Sequence, residues 1–554
     1  MSRSAKNNSV KGQKSKKGMK SSLVHPKIKR QGLVEKDSLK SIVGNWTIPV
    51  VLFIGITLLV YVTHSFWDYE WKSDKFEFLK TIFTTDAEQI RESIGSFIEL
   101  LAALLGIMIT VVAIVLQLAA QRYGTRLIDL FLADKINRTY FILLVSSLLY
   151  AIFIVFAIKN DFFPFYATET LLALTVIEIA LLGPYFLYVF KFLTPTNLLN
   201  SIQENSKTSI INLIVKKNFS QIAKYQSEIA NSLSQVTDTA LSANSQMDRN
   251  LGLMAINQIR EMALDYIDQK RKLPKPWFKI SSDHFIGISS EFHAEICDKK
   301  LWVEAKSLMD MELIFKTCIR NMPDAISALA FNTRILGEEA IKKGDDDLLD
   351  MVIQFYNTFL RISLNDSNIR AMFNLYYQYR LLTESVLIYD IERGKRILFY
   401  FKYYGQEGLQ KGLWFVLYNA AFDMGTIISN AHERNVEDIK DLLLIFLQIE
   451  DVVDKKKDML ALMGVRKAQL ILATYLLSKN ETELVKMVVE DLKNEPLSLL
   501  IKWRDMLLSV KDKKFWEVTD RGINFEYIDE TQKGFLKVFY DDYILSQKEQ
   551  FKAE

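Results

Sequence analysis

GIMITVVAIVLQLAAQRYGTR, residues 106–126, carries small or polar residues at steps of three and four: Gly106, Thr110, Ala113, Gln117, Ala120 and Gly124. Ala103, Glu99 and Ser96 extend the line towards the N-terminus. In an α-helix such positions share one face. The remaining positions are mostly Leu, Ile and Val, so the stretch reads as the inner half of a membrane helix with a polar stripe. Close packing of membrane helices uses small residues at this spacing, with Gln or Thr bonding across the contact. A wet pore lined by several copies of the helix uses the same positions. There Thr110, Gln117 and Gln121 keep the lining wet, Glu99 selects cations at the outer mouth, and Ala103, Gly106 and Ala113 set a constriction.

Working outward, four apolar runs reach the roughly 20 residues that a bilayer-spanning helix needs. They cover 46–66, 93–119, 140–158 and 165–193. Aromatic residues such as Trp46, Phe66, Trp67, Trp71, Phe162 and Tyr166 collect at their ends, as anchors at headgroup level do. Residues 1–40 hold twelve Lys/Arg against Glu35 and Asp37, whereas the whole chain of 554 residues carries a net charge of only +3. Arg122, Arg126, Lys135 and Arg138 lie between the second and third runs, and Lys159 alone between the third and fourth. The positive-inside rule therefore places both termini in the cytoplasm. The basic tail, 1–45, cannot bury a core and reads as disordered. Its charge is accounted for by topology and anionic lipid, so no nucleic-acid partner is expected.

Two intramembrane features stand apart. Glu178 falls near the middle of the fourth run, and Gly183-Pro184 follows it by about one and a half turns. Proline removes the hydrogen bond to the carbonyl of Ala180 and clashes with that turn, so a kink is expected. A kinked helix with a central acid fits a gate, an ion site or a proton relay. It also fits a protonated carboxyl bonded to a neighbour such as Thr110 for packing alone.

Beyond Thr194-Pro195 no run reads as long and uncharged enough to span. Within 196–245, Phe219, Gln226, Leu233 and Ala240 interleave with Ile222, Ile229 and Val236 at seven-residue steps. Either a short coiled-coil seam or a helix packed inside one subunit gives this pattern. From 246 to 554, amphipathic helical stretches alternate with breaks near Pro274-Lys275-Pro276, Met322-Pro323, Gly344, Gly405, Asn435, Asn480 and Pro496. That alternation suggests an α-helical solenoid- or bundle-like domain. The expected fold is therefore all-α: a basic tail (1–45), four spans (46–195), connecting helices (196–245) and a cytoplasmic helical domain (246–554).

No Gly-rich nucleotide loop, zinc-protease helix, nucleophile elbow or paired CxxC occurs. His293 between Glu291 and Glu295 reads as a solvated face, and Asp345-Asp346-Asp347 as an acidic helix start. Cys297 and Cys318 read as free thiols in a reducing compartment. No catalytic group, metal or cofactor is expected.

The stretch from Ala103 to Phe156 resembles a bacterial family of predicted membrane proteins, domain of unknown function 2254. The family's pattern after the span corresponds here to Gln121, Tyr123, Arg126, Leu127, Phe131 and Asp134, with Thr125 where the family has Pro. A second feature is represented by Ala240-Leu241-Ser242, whereas the family's following Asn-Asp-Pro is replaced by ANSQMDRN. The resemblance covers roughly 46–260 and implies a four-span bacterial inner-membrane protein with a helical cytoplasmic part and no known reaction. The expected partners are the lipid bilayer, further copies of the chain and a cytoplasmic protein. The expected activity is gated ion conduction, with a non-conducting membrane-anchored scaffold as the alternative.

Overall fold

A computed structural model describes residues 87–123, 128, 131, 134–157, 165–216, 219–285, 287–454, 457–515, 519 and 521–546. The tail and the 46–66 run lie outside the described residues. The fold is all-α, with a lone antiparallel bridge between Lys514 and Ile523 and no strand among the described residues.

Three helices are long and apolar enough to cross a bilayer in this first part: α1 (Ala87–Tyr123), α2 (Lys135–Ala157) and α3 (Phe165–Phe192). At 1.5 Å per residue, the 37 residues of α1 extend about 55 Å, well beyond a hydrocarbon core of ~30 Å. Pro184 sits inside α3 without ending it.

The chain's contacts separate two units. In the first, which takes the described residues up to Gly106 and Tyr140–Val189, Ile94, Leu101, Ala151, Ile154 and Leu171 form a buried apolar cluster. Each helix offers one face to it. On α2 the buried positions are Tyr140, Leu144, Ser147, Ala151 and Ile154; on α3 they are Leu171, Thr175, Glu178, Tyr185 and Val189. Steps of three, four and seven keep each set in line.

The second unit takes Ile107–Thr139 and everything from Phe190 onward. Asp134 starts α2: its Oδ1 accepts from the backbone N–H groups of Ile136 and Asn137, both at 3.1 Å. Phe131, fully buried, meets Phe192 edge-on at 5.6 Å between ring centroids. Two positions of the family pattern thus cap a helix and fill a corner.

The rest of this unit is a stack of helices in two rows. One row runs through α4 (Pro195–Lys216), α6 (Arg249–Lys270), α9 (Pro323–Lys343), α11 (Ile369–Tyr389), α13 (Trp414–Glu433), α15 (Met459–Ser478) and α18 (Glu530–Phe539). The other runs through α5 (Ile222–Ser245), α8 (Trp302–Cys318), α10 (Asp346–Asn365), α12 (Ile391–Gln410), α14 (Ile439–Leu447) and α16 (Thr482–Leu492). Each member packs on the next in its own row, and all but the last, α18, pack on a helix of the other row. That nearest-neighbour stacking is solenoid-like. Helix α7 (Ser290–Asp298) packs on α8, and α17 (Leu497–Ser509) packs on α15.

Side-chain caps start several of the helices. Asp248, Asp345, Asn368 and Asp390 each accept the N–H three residues on, at 2.9–3.1 Å. Gly344 closes α9 at φ +63°, where a side chain would strain the backbone. Asp248 also explains ANSQMDRN: α5 ends at Ser245, and Asp248 restarts the chain as α6.

Two sequence expectations need correction. Gly405 is not a break but lies inside α12, where an added Cβ would come within 3.0 Å of the Ala420 Cβ; the turn falls at Gly412, φ +78°. A segment beyond residue 198 does have the length and composition of a span, namely α15. Its most apolar window is 78% buried, against 17–28% for α1 to α3, so it is a core helix. The seven-residue seam of 216–243 is also located. Ile222, Gln226, Ile229, Leu233, Val236 and Ala240 are all buried, and α5 packs against α4, α6 and α8 of its own chain. The polar seam position is satisfied: the Gln226 amide donates to the carbonyls of Trp277 at 2.8 Å and Lys279 at 3.0 Å.

Candidate functional site

The stripe of α1 lies on its exposed side. Glu99, Ala103, Gly106, Thr110, Ala113, Gln117 and Gln121 are all exposed. The buried residues of the same helix are Ile94, Leu101, Leu104, Met108, Leu116 and Ala119. At about 100° per residue the two sets point in roughly opposite directions. Exposed Ile107, Ile109, Ile114 and Leu118 flank the stripe on both sides. A polar line between two apolar shoulders is therefore presented away from the apolar contacts that α1 makes. A Cβ built on Gly106 meets nothing within 4 Å. Of the four positive residues between the second and third runs, Lys135 and Arg138 are exposed; the side chains of Arg122 and Arg126 lie outside the described ones.

Glu178 is placed differently. It is fully buried, on the α3 face that carries Thr175 and Tyr185. The Tyr140 hydroxyl donates to the backbone carbonyl of Glu178 at 3.1 Å, and the Tyr140 ring stacks on Tyr185 at 4.4 Å. The Thr175 hydroxyl turns back to the Leu171 carbonyl at 2.9 Å. Ser147 is the hydroxyl that approaches the Glu178 carboxyl. Neither carboxyl oxygen has a partner in hydrogen-bond geometry among the described residues. The neighbour expected for it, Thr110, is exposed on α1. Gly183 is exposed, with open space where a Cβ would stand.

Three residues at this site are absent from the sequence reading: Tyr140, Ser147 and Thr175. The signal for Tyr140 and Ser147 was available in their four-three spacing with Leu144 and Ala151, and that for Thr175 in its spacing with Leu171 and Glu178; both set polar groups on the same face as the apolar core.

The helical domain carries ionic networks that the sequence also hid. Arg466, fully buried on α15, meets Glu450, Asp491 and Glu495 at 2.6–2.8 Å. Next to it, Lys467 contacts both carboxyl oxygens of Glu526 at 2.9 and 3.0 Å. Burial pushes Lys467 down to about 8 and Glu526 up to about 7. Arg521 grips Asp423 with two bonds, at 2.8 and 2.9 Å, and lies 4.1 Å from the Phe373 ring centre. These contacts hold Arg521 and Glu526 against α13 and α15. Their role is structural, since every carboxylate in them has a basic partner within its own cluster.

Among the described residues, no three His, Cys, Asp or Glu side chains are grouped to hold a metal. His293 lies 5.9 Å from the Phe285 ring and has the Cys297 thiol at 4.0 Å.

These features define a helical protein with several helices of membrane-spanning length and a large helical domain. Residues 44–258 match the family of predicted membrane proteins called domain of unknown function 2254. No curated protein and no solved structure matches the chain.

Proposed function

We propose that this protein is an oligomeric, gated ion-conducting assembly of a bacterial inner membrane, multi-pass, with both termini in the cytoplasm. One observation carries the reading: the polar stripe of α1 lies opposite that helix's buried face. An ionisable group facing lipid costs on the order of 3 kcal/mol on insertion scales, and less near the interface where Glu99 lies. Copies of α1 arranged around an axis would turn the stripe to water instead. Glu99 then sits at the outer mouth, Thr110, Gln117 and Gln121 line the path, and Gly106 narrows it. Glu178 with Gly183-Pro184 belongs to the gate, as a buried acid next to a helix turn lacking one backbone bond. The helical domain regulates it through a cytoplasmic partner or ligand.

The test is flux from liposomes together with oligomeric state. Gln117→Leu and Thr110→Leu should each cut ion flux at least tenfold without changing the oligomer.

A second reading has its own support in the two-row helix stack, whose architecture suits protein binding. A non-conducting membrane-anchored scaffold would show no flux, while the intact protein in detergent would retain one defined partner. Neither reading assigns a catalytic residue.

A further inference from the structure

Twenty residues, 510–529, join α17 to α18 with no helix among the described ones. Connections beyond about 12–15 residues without structure of their own are uncommon in a compact fold and usually carry function or serve as linkers. Side chains of this one reach three consecutive helices of the first row. Arg521 bonds Asp423 of α13 twice and donates to the Phe373 carbonyl of α11 at 2.8 Å. The rings of Phe373 and Tyr377 lie 4.1 and 5.5 Å from its guanidinium carbon. Phe525 lies against Tyr418 and Phe422 of α13, at 5.6 and 4.7 Å between ring centroids. Glu526 meets the Lys467 ammonium of α15 and the Tyr418 hydroxyl.

Three sockets are thus built by helices that lie 59 to 148 positions away in the chain. What fills them is short and linear: a guanidinium, three residues, an aromatic ring and a carboxylate. The occupant is held through side chains alone. The backbone N–H groups of Gly522, Asn524, Glu526 and Tyr527 bond to Thr519, Lys513 and Asn524, within the connection itself. Among the described residues, none of them bonds α11, α13 or α15. Closure also has a cost, because burial pushes Lys467 down and Glu526 up, and the Arg521 Nε is buried without a partner. Contacts of this kind belong to the low-stability end of a fold, where local opening leaves the rest intact.

We propose that the face of α11, α13 and α15 docks an extended segment of a partner protein with that same order of side chains, and that residues 521–526 occupy it until the partner displaces them. Charged and aromatic anchors in preformed sockets are a recurring way of recognising short segments. A tethered occupant competes at an effective concentration on the order of mM, so the closed chain binds a free segment weakly and an opened one tightly. The proposal rests on the reading that the helical domain takes a cytoplasmic partner, and not on conduction, because binding is read without flux.

The experiment is fluorescence polarisation of a labelled peptide, TDRGINFEYID (519–529 of this chain), with the full-length protein in lipid nanodiscs. The wild type should bind it saturably. Phe525→Ala, which weakens the resident segment without stranding a charge, should bind it at least tenfold more tightly. Lys467→Met on that background, or a peptide with Ala at the Arg position, should lose at least tenfold. Displacement is read without weakening the segment: a spin label at Ile523→Cys, an exposed position, on a Cys297→Ser background should gain mobility as the peptide saturates. No saturable binding by either protein, binding indifferent to the loss of the peptide's Arg, or a label whose mobility stays fixed at saturation would overturn the proposal. Self-association of Phe525→Ala in place of peptide binding would assign the face to a second copy and overturn the partner segment as well.

Discussion

The Tyr140 hydroxyl donates to the backbone carbonyl of Glu178 at 3.1 Å, which ties α2 to the middle of α3. The bond goes to the backbone, so the carboxyl itself has only the Ser147 hydroxyl approaching it, on the face it shares with Thr175. Tyr140→Phe keeps the stacking on Tyr185 and removes only the bond. It should lower unfolding stability in detergent by about 1 kcal/mol. Tyr140→Ala, which also empties buried space, should cost on the order of 3 kcal/mol or more by the same melt.

Glu178→Gln separates gate from packing. It keeps the shape and removes the ionisable group, so the oligomer should be intact. Flux that responds to pH in the wild type should lose that response in the variant. Unchanged flux and unchanged pH response would make Glu178 a packing residue.

Asp134 caps α2 through two backbone N–H groups. Asp134→Ala should destabilise the protein by about 1 kcal/mol, whereas Asp134→Asn should recover most of the loss. Equal losses in a thermal melt would show that the capping bond is not what the residue contributes.

Arg466 is enclosed by three carboxylates and fully buried. Removing it strands those acids. Arg466→Met should therefore cost about 3–5 kcal/mol, enough to reduce the folded yield of the helical domain. Replacing Glu490 with Gln, an exposed position next to Asp491 but outside the contacts of the cluster, should change stability little.

Glu526 yields a pH dependence with a definite sign. Its carboxyl titrates near 7 when folded, against 4.5 when unfolded, because burial disfavours the charge. Between those values the folded chain holds a proton that the unfolded chain has released. The contribution of Glu526 to stability is then present at the acid end of the window and declines as pH rises through 7. Lys467, near 8 when folded, is charged in both states throughout the window. Chemical denaturation of wild type and Glu526→Gln from pH 5 to 7 should show the wild type losing ground with rising pH, on the order of 2 kcal/mol in total. A gain instead would mean that attraction to Lys467 outweighs burial.

Much of this architecture is visible in residue spacing. The span-length helices, the caps at Asp345 and Gly344, and the buried face of α5 each follow from periodicity or turn chemistry. The errors have local causes. Gly405 reads as a break because glycine is a poor helix former, yet close approach of α12 and α13 requires it. Helix α15 reads as a run too short or too charged to span, and the buried partners of its Arg466 and Lys467 come from residues up to 59 positions away and leave no local mark. The stripe's positions were legible, and so was Glu178. Which of these faces outward and which inward depends on packing between helices, and that relation has no sequence period of its own.

The central claim is that the α1 stripe faces water along an axis shared by several copies. The most direct measurement places a cysteine at Gln117 in the oligomer reconstituted in liposomes and tests conduction after a water-soluble thiol reagent. Modification should block flux, while a cysteine at Leu116, on the buried face, should be unreactive. A monomeric particle, or flux indifferent to modification at Gln117, would contradict it.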